Sequence, residues 1–179
     1  MLQEAIFAGF GGQGVLSMGM ILAYAGMLEG KEVCWMPSYG PEMRGGTANA
    51  ITIVSDKMIS SPIITYFDTV VALNQPSVDK FESKVKKGGK LIFDSTNILN
   101  PPTRNDIEII AVPGSAEAVK LKNIKVLNML MLGSFIAANQ TVNDETIKKA
   151  LEQVLPERYH KLIPLNLEAY FIGKSFVKN

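Results

Sequence analysis

Apolar and polar positions along this chain change period several times, and each change marks an element. Ala5-Ile6-Phe7-Ala8 is an unbroken apolar run, short enough for a buried strand, that ends in a glycine cluster. Over residues 15–29 the period turns helical, with Leu16, Met20, Ala23 and Met27 three or four apart, and Gly30 suits the stop. Residues 32–36 return to strand character. Strand, glycine turn, helix and strand predict a βαβ unit with two parallel strands and a right-handed crossover. Residues 37–46 form a dense loop, and 47–55 alternate with β-branched residues, as a strand does. After a polar turn at Asp56-Lys57, Met58-Ile59-Ser60 suggests a short hairpin partner.

Further strands are expected at 69–73, 90–94 and 107–112, with an amphipathic helix over 75–84. The last third reads as mostly helical: 115–121, 126–138, 144–155 and 164–174, with Asn143 a cap and Pro156 a stop. Alternating strands and helices imply a three-layer α/β/α fold, its mostly parallel sheet made mixed by the hairpin-like middle. No linker divides the chain, so residues 1–179 read as a single domain.

Composition narrows the chemistry. The 179 residues are 47% hydrophobic and 20% charged, with a net charge of +1, which gives no reason to expect a nucleic-acid surface. Lys84, Lys86 and Lys87 read as a solvated helix end. The single cysteine, Cys34, excludes an internal disulfide and an iron–sulfur cluster held by this chain alone, and reads as a buried structural thiol. His160 alone builds no metal site and reads as a solvated surface residue. Asp94 reads as a turn cap, and Met18, Met20, Met27, Met129 and Met131 as packing. Residues 1–4 lack a basic signal-peptide start, and no apolar run reaches the roughly 18 residues of a membrane span. A cytoplasmic location is expected.

Two glycine-rich loops carry the candidate chemistry. Gly9-Phe10-Gly11-Gly12-Gln13-Gly14 matches G-x-G-x-x-G between a strand and a helix, where free amides and the helix dipole favour an anion. A dinucleotide site also places an acid at the far end of the second strand. Here Glu32 sits at its beginning, and the strand runs out through Pro37-Ser38. The second loop, Ser38-Tyr39-Gly40-Pro41-Glu42-Met43-Arg44-Gly45-Gly46, follows a strand and so belongs at the carboxyl edge of the sheet, beside the first. Arg44 is a forked donor suited to carboxylate or phosphate, Glu42 can orient it, and Tyr39 can pack on a neighbouring chain. Equally, Arg44 and Glu42 can pair only to stiffen the turn. Gln13, an amide beside the helix N-terminus, has no evident structural duty at this stage.

With these loops, the stretches Thr47-Ala48-Asn49, Ile53-Val54-Ser55-Asp56, Ser61-Pro62 and Ala72-Leu73-Asn74-Gln75 make the chain resemble the gamma subunit of 2-oxoacid:ferredoxin oxidoreductases over nearly its whole length. The resemblance implies coenzyme A-dependent oxidative decarboxylation of a 2-oxoacid to acyl-CoA, carbon dioxide and reduced ferredoxin. It implies thiamine diphosphate with magnesium (Mg), and iron–sulfur clusters, on partner alpha, beta and possibly delta subunits. This chain would complete the assembly, inactive alone, and aid coenzyme A (CoA) or substrate access through Gly9, Gly11, Gly12, Gln13, Gly14, Ser38, Tyr39, Gly40, Pro41, Glu42, Arg44, Gly45 and Gly46. The Trp35-Met36-Pro37-Ser38 lead-in and the Glu42-Met43-Arg44 variant point towards 2-oxoglutarate or branched-chain acids, 2-oxoglutarate first. A free-standing NAD- or FAD-binding enzyme and a non-enzymatic anion-binding scaffold remain the alternatives.

Overall fold

The computed structural model describes residues 1–40 and 47–177. Six strands form one sheet: β1 (Leu2–Phe10), β2 (Glu32–Tyr39), β3 (Thr47–Ser55), β4 (Phe67–Ala72), β5 (Val85–Asp94) and β6 (Glu108–Val112), in the order β2-β3-β1-β4-β5-β6. β1 pairs in parallel with β4, β4 with β5 and β5 with β6, while β3 runs antiparallel to both β1 and β2. The sheet is therefore mixed and mostly parallel, as the pattern implies. The simple βαβ unit needs correction. β2 shares the direction of β1, but β3 lies between them, and the short connection from 40 to 46 allows β3 only an antiparallel pairing with β2. β2 also runs on through Pro37 to Tyr39. As an edge strand it tolerates a residue with no N–H to donate.

Ala5 and Phe7 face one side of the sheet, Ile6 and Ala8 the other, and all four are buried. Burial on both faces explains why this strand reads as a continuous apolar run. The first face carries α1 (Val15–Leu28), α3 (Gly114–Lys120), α4 (Leu127–Asn139), α5 (Asp144–Val154) and α6 (Ile163–Ser175). Phe7 meets Phe135 of α4 edge to face at 5.3 Å. Among the described residues the second face carries one α-helix, α2 (Gln75–Phe81), whose Val78 and Phe81 join Phe67, Leu91 and Ile98. Three layers exist, but the second outer one is thin.

The buried side of α1 differs from the stripe the spacing suggests. Met27 is exposed, and Leu16 and Met20 are half-buried. The sheet side is instead set by Gly19 and Gly26, where an added Cβ would lie 2.7 Å from the Thr52 hydroxyl and 2.9 Å from the Val33 side chain. A second crossing is closer still. Gly133 of α4 and Gly173 of α6 let the two helices touch backbone to backbone, and the Ser134 hydroxyl donates to the Gly173 carbonyl at 2.7 Å.

Other local expectations change on folding. Met58-Ile59-Ser60 forms no strand. The α2 helix stops at Phe81, and β5 begins at Val85, ahead of Gly88-Gly89; Gly88 has φ of 76° where the ladder with β4 shifts register. Lys86 is no solvated helix residue, since it lies in β5 between the Glu4 and Asp68 carboxylates. Asn143 takes the N-cap position of α5 without a side-chain cap bond; its amide and backbone N–H both donate to Glu29. Cys34 is half-buried, and half-buried His160 bonds the Leu155 carbonyl, at the end of α5. Asp94 is fully buried and accepts bonds from the backbone of Thr96 and Ser115 and from the Ser115 hydroxyl, so it ties the end of β5 to the start of α3.

Replacing Gly173 by Ala forces α4 and α6 apart and is expected to cost about 3 kcal/mol in chemical denaturation. A pH effect is expected at the same end of α6, where it meets the start of α5. Burial opposes ionisation of the Asp144 carboxyl, but the Lys174 ammonium and the Tyr170 hydroxyl outweigh it and hold its pKa below the ordinary carboxylate value. A depressed folded-state pKa stabilises above the unfolded value, near 3.8, and the contribution is lost as pH falls through the folded one. Thermal unfolding followed below about pH 4 should therefore show a shallower acid loss in Asp144→Asn than in the parent chain.

Candidate functional site

The carboxyl ends of β1 and β2 and the start of β3 meet at one rim. Phe10 stands opposite Thr47, Gly9 opposite Ala48, and Ala48 in turn opposite Tyr39 of β2. The first glycine turn and residues Ser38, Tyr39 and Gly40 therefore lie together, as the sequence implies. Between them opens a cleft of about 460 Å³ lined by Gly11, Gly12, Gly14, Ser17, Tyr39 and Gly40. Tyr39 is 72% exposed there, an aromatic ring on the surface with nothing packed over it among the described residues. Pro41, Glu42, Arg44, Gly45 and Gly46 lie outside the described residues.

Gly14, with φ of 79°, starts α1 with no side-chain cap. The first-turn amides of Val15, Leu16 and Ser17, all residues of the cleft wall, have no intrahelical acceptor. Such an end can hold an anion or an acceptor group brought by another chain.

The turn before it does not behave as a dinucleotide loop. The Gln13 side-chain oxygen accepts the Phe10 N–H at 2.6 Å, and its NH₂ donates to the Leu73 carbonyl just after β4, at 3.3 Å. The Gln13 N–H closes back on the Phe10 carbonyl. Gln13 thus occupies the crevice between β1 and β4, where α1 and α2 leave on opposite faces and an α/β sheet usually receives its ligand. Gly9 is glycine for this reason, since a Cβ would lie 2.6 Å from the Gln13 oxygen and 3.2 Å from the Leu73 side chain. Glu32 is exposed at the start of β2, away from the rim, and β2 is not a neighbour of β1. Among the described residues no acid stands where a dinucleotide ribose would need one.

Sequence reading therefore places Gln13 in the right loop but misses its duty. That duty needs Leu73, 60 residues on, and no local spacing shows it. Asn74 was equally hidden: 5% exposed, it caps α2 by accepting from the Ser77 N–H. Among the described residues, no group of three or more His, Cys, Asp or Glu is placed to hold a metal ion. No helix among them is long and apolar enough to cross a membrane.

Gln13→Leu keeps the volume and removes both side-chain bonds. It is expected to destabilise by about 2 kcal/mol and to speed hydrogen exchange at the Phe10 amide, read by exchange mass spectrometry or NMR.

Comparison with known proteins agrees with this frame. The chain is 37% identical over 172 residues to the ketoisovalerate oxidoreductase subunit VorA of Methanothermobacter thermautotrophicus, covering 96% of this chain but 35% of that protein. It is 32% identical over 162 residues to the 2-oxoglutarate synthase subunit KorC of Methanocaldococcus jannaschii, covering 88% and 86%. The crystal structure of a keto/oxoacid ferredoxin oxidoreductase gamma subunit from Geobacter sulfurreducens superposes with a TM-score of 0.81 at 30% identity, covering 97% of both chains. Residues 4–175 match the family model described as pyruvate ferredoxin/flavodoxin oxidoreductase, and the chain belongs to that family.

Proposed function

We propose that this chain, as one gamma-type domain over residues 1–179, is the gamma component of a cytoplasmic 2-oxoacid:ferredoxin oxidoreductase. The observation that carries the reading is the likeness to a gamma subunit over 97% of both chains, combined with a rim that gathers Gly11, Gly12, Gly14, Tyr39 and Gly40 around uncapped helix amides. The assembly oxidatively decarboxylates a 2-oxoacid with coenzyme A, releasing acyl-CoA and carbon dioxide and reducing ferredoxin. Thiamine diphosphate with its magnesium ion, and the iron–sulfur clusters, reside on the alpha, beta or delta partners. This chain completes the complex, and its rim, including Ser38 and the loop with Glu42 and Arg44, bears on a partner or on access of coenzyme A.

The substrate assigned is 2-oxoglutarate, supported by the residues leading from Trp35 to Ser38 and by the similarity to KorC. A branched-chain 2-oxoacid is the second reading, favoured by the 37% identity to the ketoisovalerate subunit. Ferredoxin reduction by the purified complex with each acid separates them. The gamma reading itself expects no turnover by this chain alone, and activity of the lone chain would overturn it. Arg44→Ala is expected to lower turnover or assembly by about tenfold while the melting temperature of the chain stays nearly unchanged. Loss of folding would return Arg44 to a structural duty.

A further inference from the structure

We propose that Asn128, from the first turn of α4, is the N-cap that α1 lacks in its own sequence, a withdrawable cap on amides that line the rim cleft. The inference goes beyond the gamma reading and does not depend on it.

Helix α1 begins with nothing local to cap it. Its N-cap is Gly14, which has no side chain, and its first turn holds no acidic residue. A Ser, Thr, Asp or Asn at that position would place an oxygen on the N–H of the second or third helical residue. Here those residues are Leu16 and Ser17, and both stand in the wall of the cleft. Gln13, next in the chain, has its side-chain oxygen taken by the Phe10 N–H at 2.6 Å. By contrast, α2 is capped by its own Asn74, which accepts from the Ser77 N–H at 2.9 Å.

The space a capping side chain would use is filled from α4 instead. A Cβ built on Gly14 would lie 2.8 Å from Asn128 Nδ2 and 2.9 Å from its Cγ. The Asn128 carboxamide therefore rests directly against the start of α1. Asn128 is half-buried, and its Oδ1 is buried with no hydrogen-bond partner among the described residues. A buried acceptor left unpaired is costly, yet donors without an intrahelical acceptor begin at the next residue of α1, Val15. The oxygen and NH₂ of a carboxamide are nearly the same size, and its terminal torsion is close to two-fold. A half-turn about the Cβ–Cγ bond therefore exchanges them while the backbone stays in place. That half-turn brings Oδ1 to the place beside Gly14 where Nδ2 stands, and gives α1 its missing acceptor. Turned back, the side chain offers NH₂ at the same spot and leaves the Leu16 and Ser17 amides open. α4 thus holds a two-position contact, one position capping α1 and the other clearing its amides for an acceptor group that enters the cleft.

Amide hydrogen exchange followed by NMR on the full chain tests this, with the buried Val70 and Val71 of β4 reporting global opening. Asn128→Leu removes the acceptor at similar volume. It should speed exchange at Leu16 and Ser17 about fivefold, beyond any change at Val70 and Val71. Asn128→Asp keeps the shape but offers oxygen in both positions, beside a helix end that favours negative charge. It should slow exchange at the same two amides about threefold. A role in packing alone moves both variants in the same direction, or only as far as β4 moves. Opposite signs at Leu16 and Ser17 support the cap; the same sign in both variants, or rates that merely follow Val70 and Val71, overturn it.

Discussion

The architecture depends on β1 being buried on both faces while its two neighbours run in opposite directions. Parallel pairing with β4 sends α1 and α2 to opposite faces, and antiparallel pairing with β3 brings β2 to the same rim. Once that is set, the strand must end in a turn that leaves no space for a Cβ at Gly9 and uses Gln13 to bond the far side of the crevice. The glycine-rich motif therefore serves packing at the point where related-looking motifs serve a pyrophosphate. The first turn of α1 lines the cleft beside Tyr39 instead.

Close backbone approach recurs as a device elsewhere. Gly19 and Gly26 bring α1 onto β3, and Gly133 and Gly173 bring α6 onto α4. These contacts concentrate helices on one face and leave the other thinly covered. An asymmetric molecule of this kind has one face finished and one that is half-exposed near β2. Near β2 that asymmetry leaves Cys34, Met36 and Ile51 half-exposed.

Polar groups inside the fold mostly position elements. Asp94 is buried, and it accepts hydrogen bonds from Thr96, Asn97 and Ser115. Lys86 gathers two carboxylates from separate strands, and Glu29 joins α1 to the start of α5. Each fixes a junction between elements, and none lies in the cleft at the rim.

Much of the fold was legible in the chain itself. Short-period signals survive folding because they come from local geometry: β1, β3, β5 and the helices α1, α4, α5 and α6 fall close to where the periodicity places them. The glycine turn was legible as well, and so was its lying at one edge with Ser38, Tyr39 and Gly40, since chain direction alone puts both at strand ends. What remained hidden depended on partners distant in sequence. The insertion of β3 between β1 and β2, the inward side of α1, the second strand that Met58-Ile59-Ser60 never forms, and the bond from Gln13 to Leu73 all follow from which surfaces pack together. Packing is decided by three-dimensional fit among residues tens of positions apart, and one-dimensional spacing carries no record of it.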